Sequence, residues 1–258
     1  MRVMTYNILD GGVGREHLIT EVTEAVRPDV LVLQEVYQNG FVERLAGDLA
    51  MQHALATGNS TRHMALLSRL PIRTAAAYHP KPPIQHVALE AELEHPQLGS
   101  IWLFGVHLLP MLSIVREAWR TWEISAVLRH IGDRRRGPCL VAGDFNTVAR
   151  DDSVVADPAP SLRRRLRWFQ SRRVFRIAVG RMQAAGFHDC YRHLHPGLHG
   201  YTLPAPDPGV RLDYIFASPP LAARLTHCTV VTDPPAVRQA SDHLPVAAEF
   251  TLADFGSG

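Results

Sequence analysis

Short apolar runs rich in β-branched residues recur along the whole chain and limit it to a fold with many strands. Runs of about four to eight such residues between turn signals are typical of buried strands. Amphipathic stretches between them predict helices, so the pattern indicates an α+β or α/β layered domain. The predicted strands are residues 2–8, 29–34, 64–68, 87–93, 101–107, 139–144, 212–217, 226–232 and 245–251. The predicted helices are residues 16–26, 42–50, 113–131 and 177–185.

The length and composition fit one domain. Of the 258 residues, 46% are hydrophobic and 20% charged, which is ordinary for a globular protein. A chain of this length suits one large sandwich or barrel. We therefore predict a single domain over residues 1–255. The irregular stretch 149–179 is predicted to be a lid-like insertion, and residues 256–258 to be a tail outside the fold.

The cysteines and the beginning of the chain bear on its compartment. Cys139, Cys190 and Cys228 lack metal-ligand spacing and are predicted to be small buried residues in a reducing compartment. The sequence begins directly with a predicted strand and has no signal-peptide pattern. No apolar run approaches the ~20 residues of a membrane span. A cytoplasmic protein without a transmembrane segment is expected.

Polar side chains follow several predicted strands at the point where each strand ends. These residues are Asn7, Glu35, His107, Asp144, Asn146, Asp242 and His243. Each one alone has a structural explanation as a turn residue, a helix cap or a hydrogen-bonded histidine. Their recurrence favours a functional site, because strand ends meet along one rim and active sites gather there.

The residue types at these strand ends suit phosphate-ester hydrolysis. A phosphodiester is anionic, and hard cations such as Mg²⁺ or Mn²⁺ neutralise it while binding carboxylate oxygens. We expect Glu35 and Asp242 to hold the metal. Asp144 is expected to orient and deprotonate the attacking water. Asn7 and Asn146 can position a phosphate oxygen, a carboxylate or that water without adding negative charge.

Two histidines are predicted to act on the phosphoryl group. His107 and His243 can donate to the charge that develops on its oxygens. A histidine that acts in this way is expected to be protonated, which a carboxylate partner favours. Asp213 is the predicted partner of His243; the alternative is that Asp213 forms a buried ion pair with Arg211.

Six short motifs follow one another in order along the chain. They are Thr5-Tyr6-Asn7-Ile8, Leu33-Gln34-Glu35-Val36, Gly105-Val106-His107-Leu108, Gly143-Asp144-Phe145-Asn146, Arg211-Leu212-Asp213-Tyr214-Ile215-Phe216 and Ser241-Asp242-His243-Leu244-Pro245-Val246. Together with Leu67-Ser68-Arg69-Leu70-Pro71-Ile72, this order resembles the signature of the endonuclease/exonuclease/phosphatase superfamily. That group includes deoxyribonucleases, apurinic endonucleases, sphingomyelinases, inositol polyphosphate phosphatases and deadenylases. The resemblance spans residues 3–250.

The resemblance implies an α+β fold, a four-layer α/β/β/α sandwich in which two mostly antiparallel sheets pack face to face between helices. It also implies a hydrolase of phosphate esters that uses one or two Mg²⁺ or Mn²⁺ ions. Glu35 would hold the metal with help from Asn7 and Asp242. Asp144 and Asn146 would handle the nucleophile and the phosphate.

The resemblance also implies roles for the histidines. Asp213 would orient His243, and His107 would contact the scissile phosphate. Arg116 or Arg120, on the predicted helix after His107, can reach a phosphate, although an exposed helix face explains either arginine alone.

The substrate class rests on one segment. Residues 161–181 hold eight arginines and no acidic residue. The segment fits a clamp for phosphate or nucleic acid, a helix that lies on anionic lipid, or a solvated helix paired with acidic residues elsewhere. We predict a phosphodiesterase or nuclease; the alternative is a phosphatase or phospholipase on small or lipid phosphoesters. An inactive phosphate-binding module is the alternative from another class, and the presence of Glu35, Asp144 and His243 argues against it.

Overall fold

The computed structural model describes residues 1–58, 60–80, 86–111, 113–155 and 176–251. The strands are β1 (Arg2–Asn7), β2 (Val30–Val36), β3 (Gln52–Ala56), β4 (His63–Ser68), β5 (Ile72–Tyr78), β6 (Ala88–His95), β7 (Gly99–His107), β8 (Cys139–Asp144), β9 (His188–Asp189), β10 (Asp213–Ala217), β11 (Leu225–Val230) and β12 (Val246–Phe250). The α-helices are α1 (Glu16–Val26), α2 (Phe41–Asp48), α3 (Ile114–Ile131), α4 (Ile177–Ala184), α5 (Cys190–Leu194), α6 (Pro219–Ala222) and α7 (Val237–Ala240).

Two six-stranded sheets form the centre of the molecule. The first has the strand order β11-β12-β1-β2-β4-β3, and the second has the order β5-β6-β7-β8-β10-β9. Strands β1 and β2 pair in parallel, as do β7 and β8. The other paired strands of the described chain run antiparallel. The prediction of two mostly antiparallel sheets is therefore confirmed.

The alternation of side chains along β2 explains how this strand joins two cores. Val30 and Val32 enter the cluster of buried residues between the two sheets. Leu31 and Leu33 enter the cluster under the helices that cover the first sheet. A strand covered on both faces needs apolar residues at every position, so the continuous Val-Leu-Val-Leu run is buried throughout.

Helices cover the outer face of each sheet. On the first sheet, Ile19 and Val22 of α1 and Leu45 of α2 are part of the outer cluster. On the second sheet, Ile124 of α3 and Val179 of α4 pack in the corresponding outer cluster. The result is the four-layer α/β/β/α sandwich that the sequence predicted. Among the described helices, none combines the length and apolar character that crossing a membrane requires.

The two parallel strand pairs position the site. In the first sheet Asn7 at the end of β1 lies opposite Gln34 of β2, and in the second sheet His107 at the end of β7 lies opposite Asp144 of β8. Parallel strands end on the same side, so each pair delivers its polar terminal residues to one edge. The antiparallel partner β10 begins there, because Asp213 lies opposite Asp144.

The sequence patterns did not predict several edge strands and short helices. Strands β3, β5 and β9 were not predicted, and neither were the short helices α5, α6 and α7. The edge strand β5 is half exposed and rich in alanine, so it lacks the apolar run that marks a buried strand. The three cysteines are free and buried, as predicted. Most of the predicted lid at 149–179 lies outside the described residues, and so does the segment 256–258.

Candidate active site

Asn7 links two carboxylates that are distant in the chain. Its side-chain Nδ2 donates to Glu35 Oε1 at 3.3 Å and to Asp144 Oδ2 at 3.1 Å. Its Oδ1 accepts the backbone N–H of Leu9 at 3.0 Å. All three polar side chains are buried. The amide nitrogen of Asn7 therefore faces the two carboxylates, and its oxygen faces the backbone N–H of Leu9.

Glu35 reaches the site through an irregularity in β2. The pairing of β2 with β4 shifts register between Gln34 and Val36, and Glu35 between them has a φ of 60°. This left-handed backbone is unfavourable for a residue with a Cβ and is typical of bulges near functional sites. Glu35 Oε2 accepts the backbone N–H of Asp10 at 3.0 Å, which fixes the carboxylate in place.

Asp144 lies at the centre of the site at the end of β8. Asn146 holds both of its oxygens: the backbone N–H donates to Oδ1 at 2.8 Å, and the side-chain Nδ2 donates to Oδ2 at 3.0 Å. Burial raises the pKa of Asp144 to about 7, with His243 lowering it and Asp213 raising it. A group with this pKa can accept a proton from water near neutral pH.

His243 forms a short hydrogen bond with Asp213, with 2.8 Å between Nδ1 and Oδ2. Burial lowers the pKa of His243, but the negative charges of Asp213 and Asp144 outweigh burial and raise it to about 10. The ring is therefore protonated at neutral pH. Its Nε2 lies 3.8 Å from Asp144 Oδ2 and 4.0 Å from Asp242 Oδ1, so it faces the same pocket.

His107 completes the group from the second sheet. Its Nε2 lies 3.9 Å from Glu35 Oε1 and 3.7 Å from Asp144 Oδ2. Burial is the largest effect on its pKa and, with the neighbouring His86, His243 and Arg62, lowers it well below 6.5. This shift favours a neutral ring at neutral pH, and a neutral His107 still donates one N–H.

A family model matches nearly the whole chain. The model of the Endonuclease/Exonuclease/phosphatase family matches residues 4–243. The chain belongs to this family. Its members hydrolyse phosphate ester bonds, and this protein is such a hydrolase. A comparison with curated protein sequences gives no significant match.

Solved structures of the same architecture support the fold of this family member. An AP endonuclease from Archaeoglobus fulgidus has a TM-score of 0.76 and 19% identity, covering 97% of this chain and 99% of that one. The 3′ phosphatase NExo from Neisseria, bound to a product DNA hairpin, has a TM-score of 0.72 and 21% identity, and the match covers 97% of this chain and 99% of that one. The human Nocturnin catalytic domain with a bound sulfate has a TM-score of 0.67 and 23% identity, and the match covers 97% of this chain and 93% of that one.

The donor set fits the divalent metal that this family uses. Glu35 and Asp242 carry carboxylate oxygens, the ligands that Mg²⁺ and Mn²⁺ prefer. Another group, Asp144, Asp213 and His243, has ligand atoms within 4.8 Å of one another. In this second group Asp213 Oδ2 lies 2.8 Å from His243 Nδ1. Its geometry is that of a carboxylate that orients and charges an imidazole.

Arg116 and Arg120, predicted to bind phosphate, are engaged elsewhere. Arg120 is buried, pairs with Glu117 at 2.9 Å, and donates to the carbonyl oxygens of Leu109 and Met111. Arg116 donates to a backbone carbonyl at 2.8 Å near the beginning of α3. Both guanidinium groups therefore bond to the loop after His107, and the charge of Asp144 also acts on Arg120.

Arg211 forms a buried ion network in place of the alternative pair with Asp213. Its guanidinium bonds to Asp152 and Asp189 at 2.6–3.0 Å. The guanidinium also lies 4.4 Å from the ring centroid of Tyr214. Asp213 is left to His243, as predicted. The network ties the loop at Asp152 to the body of the protein beside the site.

Several residues of the site escaped sequence reasoning. Arg62 bonds to Asp10 Oδ1 at 2.7 Å and lies 3.2 Å from Glu35 Oε2. Tyr37 also donates to Asp10, at 3.2 Å. His86 stacks on His107. Asp10, Arg62 and His86 stand in no motif that marks them as site residues.

Proposed function

We propose that this protein is a divalent-metal-dependent phosphodiesterase that cleaves nucleic acid by in-line attack of water. The observation that carries the proposal is a connected group of five residues from both sheets, in which each residue lies within 4 Å of at least one other. They are Asn7, Glu35, His107, Asp144 and His243. A structural explanation for each residue does not account for so many buried polar groups at one edge, since burying them without a function costs stability.

Glu35 and Asp242 would hold Mg²⁺ or Mn²⁺, which when bound would neutralise the charge of the phosphoester. Asn7 keeps the Glu35 and Asp144 carboxylates apart from each other by donating to both. Arg62 on the outer side of Glu35 lowers the electrostatic cost of collecting several acids in one pocket.

Asp144 is the proposed base. Its pKa of about 7 lets it take a proton from an attacking water at Oδ2, while the two N–H groups of Asn146 fix its orientation. His243, protonated through Asp213, faces the same oxygen and can donate to a phosphoryl oxygen as charge develops. Neutral His107 donates its single N–H from the opposite sheet.

Nucleic acid is the preferred substrate class. The similar structures from Archaeoglobus and Neisseria are described as an AP endonuclease and as a phosphatase bound to a DNA hairpin. The Arg-rich stretch of residues 161–181 supports the same choice through its charge, although most of it lies outside the described residues.

A second candidate is a phospholipase. Met111, Ile114, Val115 and Trp119 follow His107 in the chain and are all exposed, Val115 by 75%. A group of exposed apolar side chains beside a hydrolytic site suits an amphiphilic substrate or its membrane.

The test is a substrate panel of DNA, RNA, inositol phosphates, sphingomyelin and bis(4-nitrophenyl) phosphate, each with Mg²⁺ and with Mn²⁺. Cleavage of DNA or RNA with the highest kcat/KM supports the nuclease. A preference for sphingomyelin vesicles supports the phospholipase. Absence of turnover on every substrate with either metal contradicts both.

A further inference from the structure

His86 lies against the active site and is part of no motif. Its ring stacks on His107 with a centroid distance of 4.1 Å and an angle of 10° between the planes. His86 precedes β6, whose register with β7 brings it beside the end of β7. The ring is almost completely buried, with 4% of the residue exposed.

Both ring nitrogens of His86 lack a hydrogen-bond partner within the part of the chain that the structure describes. Other poorly exposed histidines do have one. His63 Nδ1 accepts a backbone N–H from Gly58, and His95 Nδ1 accepts one from Gln97. Because an unpaired buried polar group destabilises the folded state, stable proteins rarely leave two on one side chain. The exception at His86 therefore points to a partner beyond the residues that the structure describes.

The surroundings of His86 define what that partner is. Burial, followed by the nearby charge of Arg62, lowers the pKa of His86 to about 4, so the ring is neutral at neutral pH and carries one N–H donor. The adjacent His107 faces Glu35 and Asp144. The His86 ring lies 4.1 Å from the His107 ring, so a ligand that contacts His107 is also close to His86. An oxygen of such a ligand would accept the free N–H of His86.

We propose that His86 is a substrate-binding residue that donates a hydrogen bond to an oxygen of the phosphoester, beside His107. The inference rests on the proposed function, because it takes the ligand of this pocket to be a phosphoester. The stack itself has a second consequence: it holds His107 in the plane from which that ring faces the two carboxylates.

Two variants separate hydrogen bonding from stacking. His86→Phe keeps a flat ring against His107 but has no donor, whereas His86→Gln keeps a donor without the ring. We expect His86→Phe to raise KM for bis(4-nitrophenyl) phosphate about tenfold, the effect of one lost hydrogen bond to a charged group. His86→Gln should recover part of that loss. A purely structural role predicts the opposite order, with His86→Phe the milder change.

The matched control is His130→Phe. His130 also stacks on an aromatic ring, Tyr78, at 3.9 Å and 10°, and it lies outside the site on α3. We expect this variant to keep the wild-type KM. A wild-type kcat/KM in His86→Phe would overturn the proposal.

A binding measurement on the wild-type protein separates this proposal from the proposed function and does not depend on any variant folding. The imidazole nitrogens are followed by ¹⁵N NMR while inorganic phosphate is added in the presence of Mg²⁺. Phosphate-dependent shifts of the His86 nitrogens support the proposal even if no substrate of the panel is cleaved. Unchanged His86 nitrogens at phosphate concentrations that shift those of His107 overturn it.

Discussion

The backbone conformation of Glu35, as well as its side chain, places its carboxylate in the site. Its φ of 60° lies in a region that residues with a Cβ avoid, and the bulge at this point turns the carboxylate toward Asn7. Such strain costs of order 1–3 kcal/mol and persists only where the surrounding structure enforces it. Here the enforcing contacts are the N–H of Asp10 and the ion pair with Arg62.

Replacing Asp144 by asparagine separates catalysis from stability. Without the proposed base, Asp144→Asn should lower kcat by two orders of magnitude or more, roughly the contribution of general base catalysis. Burial raises the pKa of Asp144 from 3.8 to about 7, so its ionisation opposes folding, and stability falls as pH rises through that window. The metal-free variant should therefore be more stable than wild type above pH 7. Thermal unfolding of both proteins at pH 6 and pH 8 checks this. A melting temperature at pH 8 that is lower for Asp144→Asn than for the wild type would contradict it.

Asp213 is expected to set the alkaline limit of activity. With a folded pKa of about 10, above the ordinary 6.5, His243 stays protonated through neutral pH. Its contribution to stability is complete below about pH 6.5 and is lost as pH rises through the folded pKa. Asp213→Asn removes the largest favourable charge, so the alkaline limb of the kcat profile should move to lower pH. Asp48→Asn, an exposed change on α2, is the control. An unchanged alkaline limb in Asp213→Asn would contradict the role of Asp213.

At the scale of elements, the predictable part of the fold was the part with strong apolar patterns. Strands β2 and β8 were predicted closely because burial on both faces demands unbroken apolar runs. Edge strand β5 was missed because its exposed residues follow no such pattern. The phosphate-binding roles of Arg116 and Arg120 stay predictions, because loop geometry decides what a long side chain contacts and the helix pattern alone does not encode it.

Glu117 joins α3 to α4 and to the loop that follows the site. Its Oε1 accepts the N–H groups of Ile177 and Ala178 at the beginning of α4. Its Oε2 accepts from Arg120 and from the hydroxyl of Thr147. Glu117→Ala leaves a buried arginine without its carboxylate, which costs about 3–5 kcal/mol.

The Glu117 change should appear in urea denaturation as a lower midpoint, because it removes contacts of the folded state only. Glu21→Ala, an exposed change on α1, should move the midpoint little. A loss below about 1 kcal/mol in Glu117→Ala, the range of a surface ion pair, would show that the joint between α3 and α4 is not held in this way.

At the scale of the whole molecule, the site exists only because two sheets bring their strand ends to one edge. The sequence predicted the convergence of Asn7, Glu35, Asp144 and His243, since polar residues recurred at strand ends with compatible chemistry. It could not predict that His86 stacks on His107, because this contact depends on the register of β6 against β7. The residues at the strand ends likewise do not identify the substrate, because all members of such a fold need them for the same reaction.

Metal removal tests the molecule as a whole. If Glu35 and Asp242 hold the cation, EDTA should abolish hydrolysis, and Mg²⁺ or Mn²⁺ should restore it. The same ions should raise the melting temperature of the wild type, because a ligand at about 100 times its Kd adds roughly 2.7 kcal/mol to the stability of the folded state. Glu35→Gln should lose both responses, while the exposed Glu21→Gln keeps them. Since Glu35 also bonds to Arg62 and Asn7, its loss alone can change stability, and the decisive quantity is the difference between melting temperatures with and without metal. An equal metal-induced rise in Glu35→Gln and wild type would place the cation elsewhere.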